Sequence, residues 1–172
     1  MADQQAKVIA YKRSRFSTRL PADRLYTPSH FWMAEVEPGV WRVGFTKFAT
    51  RMLGDFVEQG FSVKPGDPVD VGQTIGWVEG FKAVTDLYCV LAGEFVGGNA
   101  ALNEDITLAD TDPYGAGWLY AVRGTPEPNS VDVAGYTEIL DLTIDKMREK
   151  QQAGGDEGDL TEGGKDDPTC RT

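Results

Sequence analysis

The sequence predicts a mainly β protein, a sandwich or small barrel followed by one C-terminal helix, and three observations carry that prediction. From Tyr26 to Arg123, short runs of Val, Phe, Trp, Tyr and Ile are broken at regular intervals by Gly and Pro-Gly signals, as in packed antiparallel strands. No long helical pattern separates these runs, which argues against a βαβ fold. Only beyond Pro126 and Pro128 does helical spacing set in, at Tyr136, Leu140, Ile144 and Met147.

The elements follow in order. Trp41 to Phe45 alternates as a strand, and Thr46 to Leu53 reads as a short helix with Phe45, Ala49 and Leu53 on one face and Gly54 as its stop. Pro65-Gly66-Asp67 and Asp70-Val71-Gly72-Gln73 mark turns, and Thr74 to Glu79 runs on as a strand. Leu87 to Leu91 returns. The division expected is a basic flexible segment at 1–24, a folded domain at 25–124, a linker and amphipathic helix at 125–150, and a disordered acidic tail at 151–172.

The segment 1–24 holds Lys7, Lys12, Arg13, Arg15, Arg19 and Arg24 against Asp3 and Asp23. It lacks the apolar run of a secretory signal and is read as a basic tail rather than a transit peptide. The chain as a whole carries a net charge of −10, and residues 25–124 hold six Lys/Arg against thirteen Asp/Glu. That acidity argues against nucleic acid and suits a partner with a basic face. No apolar stretch approaches the roughly 20 residues of a membrane span, and the mean hydropathy of −0.34 agrees.

Cys89, Cys170 and the single His30 cannot build a disulfide framework, a cysteine-based zinc site or, away from that one histidine, nucleophilic catalysis. No metal is expected, and the phosphate-binding glycine motifs are absent. A reducing compartment fits best: the cytoplasm, or the mitochondrial matrix in a eukaryote.

The segment TIGWVEGFKAVTDLYCVLAG, Thr74 to Gly93, places Lys82 at the tip of a hairpin. A lysine there is usually just a solvated charge. It is also what a swinging-arm cofactor requires, since an amide-linked arm must range while its base stays fixed.

The text around that lysine, Glu79-Gly80-Phe81-Lys82-Ala83 with Asp86-Leu87-Tyr88, resembles the lipoylation motif of the glycine cleavage H-protein family. The resemblance runs from His30-Phe31-Trp32 through Val43-Gly44-Phe45-Thr46, Leu53-Gly54-Asp55, Gly93-Glu94 and Asn99 to Asp112-Pro113-Tyr114-Gly115-Ala116-Gly117-Trp118-Leu119. It implies a lipoyl-domain-like β-sandwich (barrel-sandwich hybrid) with short flanking helices and lipoate covalently bound to Lys82. It also implies a non-catalytic carrier of glycine catabolism and one-carbon metabolism. Such a carrier takes the aminomethyl group of glycine from glycine decarboxylase to aminomethyltransferase, with dihydrolipoyl dehydrogenase reoxidising the arm and a lipoate-attaching enzyme installing it. The sequence departs from the family pattern at Gly80 and Phe81, where serine and valine are commoner, at Cys89, and in Phe56 to Lys64.

Beside Lys82, Glu79 and Asp86 are candidates for the surface that the attaching enzyme reads. His30, Tyr88, Tyr114 and Trp118 are candidates for a cleft sheltering the arm, although core packing explains each of the aromatics equally well. His30 is read foremost as structural, orienting the Phe31-Trp32 strand, and Cys89 as a buried small hydrophobe. Three alternatives remain beside the glycine reading: a lipoate-binding protein carrying sulfur in cytoplasmic sulfur oxidation, an unmodified interaction module, and a biotin carrier. The last is disfavoured because Phe81 and Ala83 stand where methionines flank a biotinylated lysine.

Overall fold

The structure, a computed structural model, describes residues 7–164, with side chains as far as 152. It is mainly β, as expected. The segment expected to be a flexible tail departs first: residues 8–21 form an antiparallel hairpin of β1 (Val8–Arg13) and β2 (Phe16–Pro21), paired from Val8↔Pro21 to Arg13↔Phe16. The physical reason is an alternation that the basic residues mask. Phe16 and Leu20 face inward and are buried, whereas Lys12, Ser17 and Arg19 face out. Residues 1–6 of that expected segment lie outside the described residues.

The domain proper begins with β3 (Leu25–Tyr26), β4 (Phe31–Glu37) and β5 (Val40–Phe45), followed by helix α1 (Lys47–Leu53). Next come β6 (Phe56–Phe61), β7 (Pro68–Val69), β8 (Thr74–Gly80), β9 (Val84–Tyr88) and β10 (Leu91–Gly98). Two four-residue helices, α2 (Ala101–Glu104) and α3 (Leu108–Thr111), lead to β11 (Tyr120–Pro126). A six-stranded sheet runs β3-β4-β5-β11-β10-β7, and a second sheet of three strands runs β6-β8-β9. Their inner faces meet in one core, to which Met33, Val43, Phe95 and Val122 come from the larger sheet and Ile75, Val78 and Leu87 from the smaller. This is the expected sandwich.

Helix α1 is set by its ends. Thr46 caps it by accepting the Ala49 amide at 3.4 Å, and Gly54 stops it at φ 78°, a left-handed conformation that suits glycine. Phe45 and Leu53 join the core with Ala49 against it, which is the predicted face, while Phe48 turns to the N-terminal hairpin and meets Phe16 edge-on at 5.4 Å.

The C-terminal helix α4 (Val133–Gly164) starts where the helical spacing predicts. The chain divides into two compact units within it, Met1–Tyr136 and Thr137–Thr172. The expected acidic tail, 151–172, is helical in backbone as far as Gly164; residues 165–172, including Cys170, lie outside the described residues. Among the described residues no helix is long and apolar enough to cross a membrane.

Candidate functional site

The β8–β9 hairpin pairs Glu79 with Val84 and closes with the Gly80 amide donating to the Ala83 carbonyl at 2.8 Å, so Phe81 and Lys82 alone form the loop. Hairpins of that length prefer primed turns with positive φ, and neither Phe81 nor Lys82 has one. The tip is held from outside instead. The Phe81 amide donates to the Asp55 carbonyl at 2.7 Å and the Lys82 amide to the Leu53 carbonyl at 2.9 Å. The Leu53 carbonyl would otherwise be an unmatched acceptor at the end of α1.

From that anchored backbone the Lys82 side chain stands in solvent, with its Nζ donating to the Arg51 carbonyl at 3.3 Å. Its stem crosses Gly54, where a Cβ would lie 2.9 Å from Lys82 Cγ and 3.1 Å from Lys82 N. Gly80 is equally constrained, since a Cβ there would lie 2.2 Å from the Leu53 carbonyl oxygen. A cavity of about 290 Å³ opens beside the lysine, lined by Lys47, Thr50, Arg51, Gly54, Asp55, Phe81, Lys82 and Asp110. In it the Lys47 ammonium donates to the Asp110 carbonyl at 3.0 Å and lies 3.5 Å from the Asp110 carboxylate.

Glu79 and Asp86 lie on the hairpin carrying Lys82. Glu79 pairs with Val84 and Asp86 with Trp77, two pairs further from the tip, so the four residues share the outer face of the sheet. The residues expected to form an arm cleft are not brought together. Tyr88 pairs with Thr74 at the opposite end of the hairpin, and its carbonyl accepts the Tyr120 hydroxyl at 2.9 Å. It lies six positions along the chain from Lys82, roughly 20 Å when extended.

Tyr114 and Trp118 line a different cavity, of about 370 Å³, with the guanidinium of Arg24 4.4 Å from the Trp32 ring centroid and that of Arg42 4.5 Å from the Trp118 centroid. Tyr114 nevertheless touches the helix under Lys82, its hydroxyl accepting the Lys47 amide at 3.0 Å. Burial pushes that phenol up to about 12.

His30 has a structural setting. Its backbone is left-handed at φ 73°, its amide donates to Thr27, and its carbonyl accepts the Thr46 amide. The ring Nδ1 lies 2.8 Å from the Tyr136 hydroxyl, which is also 2.8 Å from Thr46 Oγ1. Burial lowers the imidazole to about 4, so it is neutral near pH 7. Cys89 is 1% exposed between Leu87 and Leu91; its thiol donates to the Leu91 carbonyl, and burial raises its pKa.

Sequence reasoning missed Lys47, Arg51, Leu53, Asp55 and Asp110 as neighbours of Lys82. They come from α1, the residue after its stop, and α3, and no spacing along the chain links them to the hairpin.

Residues 24–142 match the family model described as glycine cleavage H-protein. The chain is 40% identical over 124 residues to the glycine cleavage system H protein of Corynebacterium jeikeium, covering 69% of this chain and 95% of that one. It is 34% identical over 129 residues to the H protein of Shewanella halifaxensis, covering 72% and 98%. The crystal structure of the H protein of Mycobacterium marinum superposes with a TM-score of 0.62 at 37% identity, over 69% of this chain and 97% of that one. With both the sequence matches and the superposed sandwich in agreement, the chain belongs to the glycine cleavage H-protein family.

Proposed function

We propose that Lys82 is the lipoyl attachment residue and that, through it, the chain acts as the carrier between the enzymes of glycine cleavage. The observation that supports this most directly is an exposed lysine on a two-residue tip whose own backbone is fastened to α1. The residues suit an amide-linked arm. Nζ reaches solvent and donates to the Arg51 carbonyl, the stem passes over a glycine, and a cavity adjoins it. A bound lipoyl group would supply the disulfide and dithiol chemistry on which carried groups ride. The chain's contribution is to hold the base of the arm still, present Glu79 and Asp86 to the attaching enzyme, and offer beside the base a recess with both charged and apolar walls.

In this reading the chain is a non-catalytic subunit. Its partners are glycine decarboxylase, aminomethyltransferase, dihydrolipoyl dehydrogenase and a lipoate-attaching enzyme, and its compartment is the reducing cytoplasm of a cell like those of its bacterial relatives. The sulfur-carrier alternative gains nothing from Cys89, since a buried thiol of raised pKa is poorly placed to exchange with an arm.

Mass spectrometry of the protein from a lipoylation-competent host tests the assignment. A lipoyl adduct on Lys82 is expected, absent in Lys82→Arg at unchanged thermal stability; an unmodified Lys82 overturns it. Glycine-dependent loading of the modified protein by glycine decarboxylase then tests the cargo.

A further inference from the structure

The match to the family begins at residue 24, so the β1–β2 hairpin is an addition to the shared domain. It is fixed to the one helix that holds the Lys82 tip. Phe16 packs edge-on against Phe48 at 5.4 Å, and the Arg51 guanidinium lies 5.3 Å from the Phe16 centroid, while the Arg51 and Leu53 carbonyls receive Lys82. From Phe48 to Leu53 is five residues of helix, about 7.5 Å. A standard protein interface covers about 800 Å² per partner, a disc about 30 Å across, so hairpin and tip fit within one footprint.

The charge of the addition opposes that of the domain. Lys7, Lys12, Arg15 and Arg19 are all exposed, no acidic residue occurs from Lys7 to Ala22, and among the described residues none of the four has an ion-pair partner. The surface around the tip sets apolar side chains among its charges: Phe81 is 82% exposed, Val84 67% and Met52 46%, beside the exposed Arg51 and Asp55. An apolar centre beside a charged margin is the anatomy of a protein-binding surface.

We propose that the β1–β2 hairpin is a docking element for an enzyme that acts on the Lys82 arm, one with an acidic patch beside the mouth of its active site. The inference rests on the carrier reading of Lys82. A protein partner is favoured over nucleic acid or an anionic membrane because the domain beside the hairpin holds six Lys/Arg against thirteen Asp/Glu over residues 25–124 and would repel a polyanion. An acidic patch bordering an apolar mouth would meet both halves of the surface.

The test uses the full lipoylated chain and the variant Lys12→Glu/Arg15→Glu/Arg19→Glu, whose changed side chains are all exposed. Intact mass first establishes that both proteins carry the lipoyl adduct. Each chain is then titrated as substrate against glycine decarboxylase, aminomethyltransferase and dihydrolipoyl dehydrogenase. The expected result is a rise in KM of about tenfold for at least one enzyme at low ionic strength, with kcat unchanged. That difference should shrink with added salt, as the screening length falls from about 30 Å at 0.01 M to about 8 Å at 0.15 M. An unchanged KM for all three enzymes with Lys82 loaded overturns the docking role while leaving the carrier reading intact. So does unchanged KM with binding of the wild-type chain to duplex DNA or phosphatidylserine vesicles. A wild-type chain without the adduct removes the carrier reading and this inference with it.

Discussion

The backbone amide of Lys82 donates to the carbonyl of Leu53 across 2.9 Å, so the lysine is fastened to a helix far from it in sequence. This gives the Leu53 carbonyl at the end of α1 a partner and, with the Phe81 amide on Asp55, holds a loop whose own dihedrals do not favour the turn. A fixed base makes a long arm useful: the range of the group it carries is then set by the arm alone.

Gly54→Ala tests that base. The substitution places a β-carbon on a backbone at φ 78° and 2.9 Å from Lys82 Cγ, which should cost about 1–2 kcal/mol and push the lysine stem aside. A lower melting temperature and a smaller lipoylated fraction by intact mass are expected. Unchanged values for both would show that the close approach is not needed.

Gly80→Ser restores the commoner family residue and should be unfavourable in this chain, because its β-carbon would meet the Leu53 carbonyl oxygen at 2.2 Å. Relief requires the tip to move off α1, a loss of about 1–3 kcal/mol in local stability. Hydrogen exchange should quicken at the Phe81 and Lys82 amides and change little in β10 and β11. Full protection at the tip would mean that the tip accommodates the new side chain in place.

Stability should fall on mild acidification because of His30. Burial lowers its folded value to about 4, against 6.5 in the unfolded chain, so below pH 6.5 the unfolded state binds the proton first. The contribution is complete above pH 6.5 and is lost as pH falls toward 4, reaching on the order of 2–3 kcal/mol. Urea denaturation at pH 7.5 and pH 4.5 measures it. In His30→Gln that part of the slope should vanish; an equal slope in both proteins would assign it to carboxylates.

What was legible in the sequence follows from how each feature is encoded. The strands from Tyr26 to Arg123 declared themselves by alternation and glycine turns, and α1 by the cap Thr46 and the stop Gly54. Lys82 was legible as a hairpin tip by local pattern and as an arm base only by resemblance. The contacts of Leu53 and Asp55 at the tip, and the place of Asp110 in the cavity beside it, are tertiary and leave no periodic trace. Tyr88 is a cleft candidate by its aromatic character alone, and the extended strand that carries it places it at the end of the hairpin away from the tip. The first hairpin was hidden because Lys12, Arg15 and Arg19 dominate its composition, while its alternation depends on Phe16 and Leu20.

That hairpin supplies the last prediction. Two strands alone are marginal in water, so β1–β2 depends on what Phe16 buries against Phe48. Phe16→Ala removes a side chain that is 7% exposed, a loss of about 3–5 kcal/mol where a core cannot collapse. The ring contact of the hairpin with α1 runs through Phe16, so without it the hairpin should open by itself. Amides of β1 and β2 should lose exchange protection, while those of β10 and β11 and the main thermal transition stay near wild type. If both sets lose protection together, the hairpin is part of the cooperative unit of the domain, and the addition ahead of residue 24 must then be counted among the elements that hold the arm's base in place.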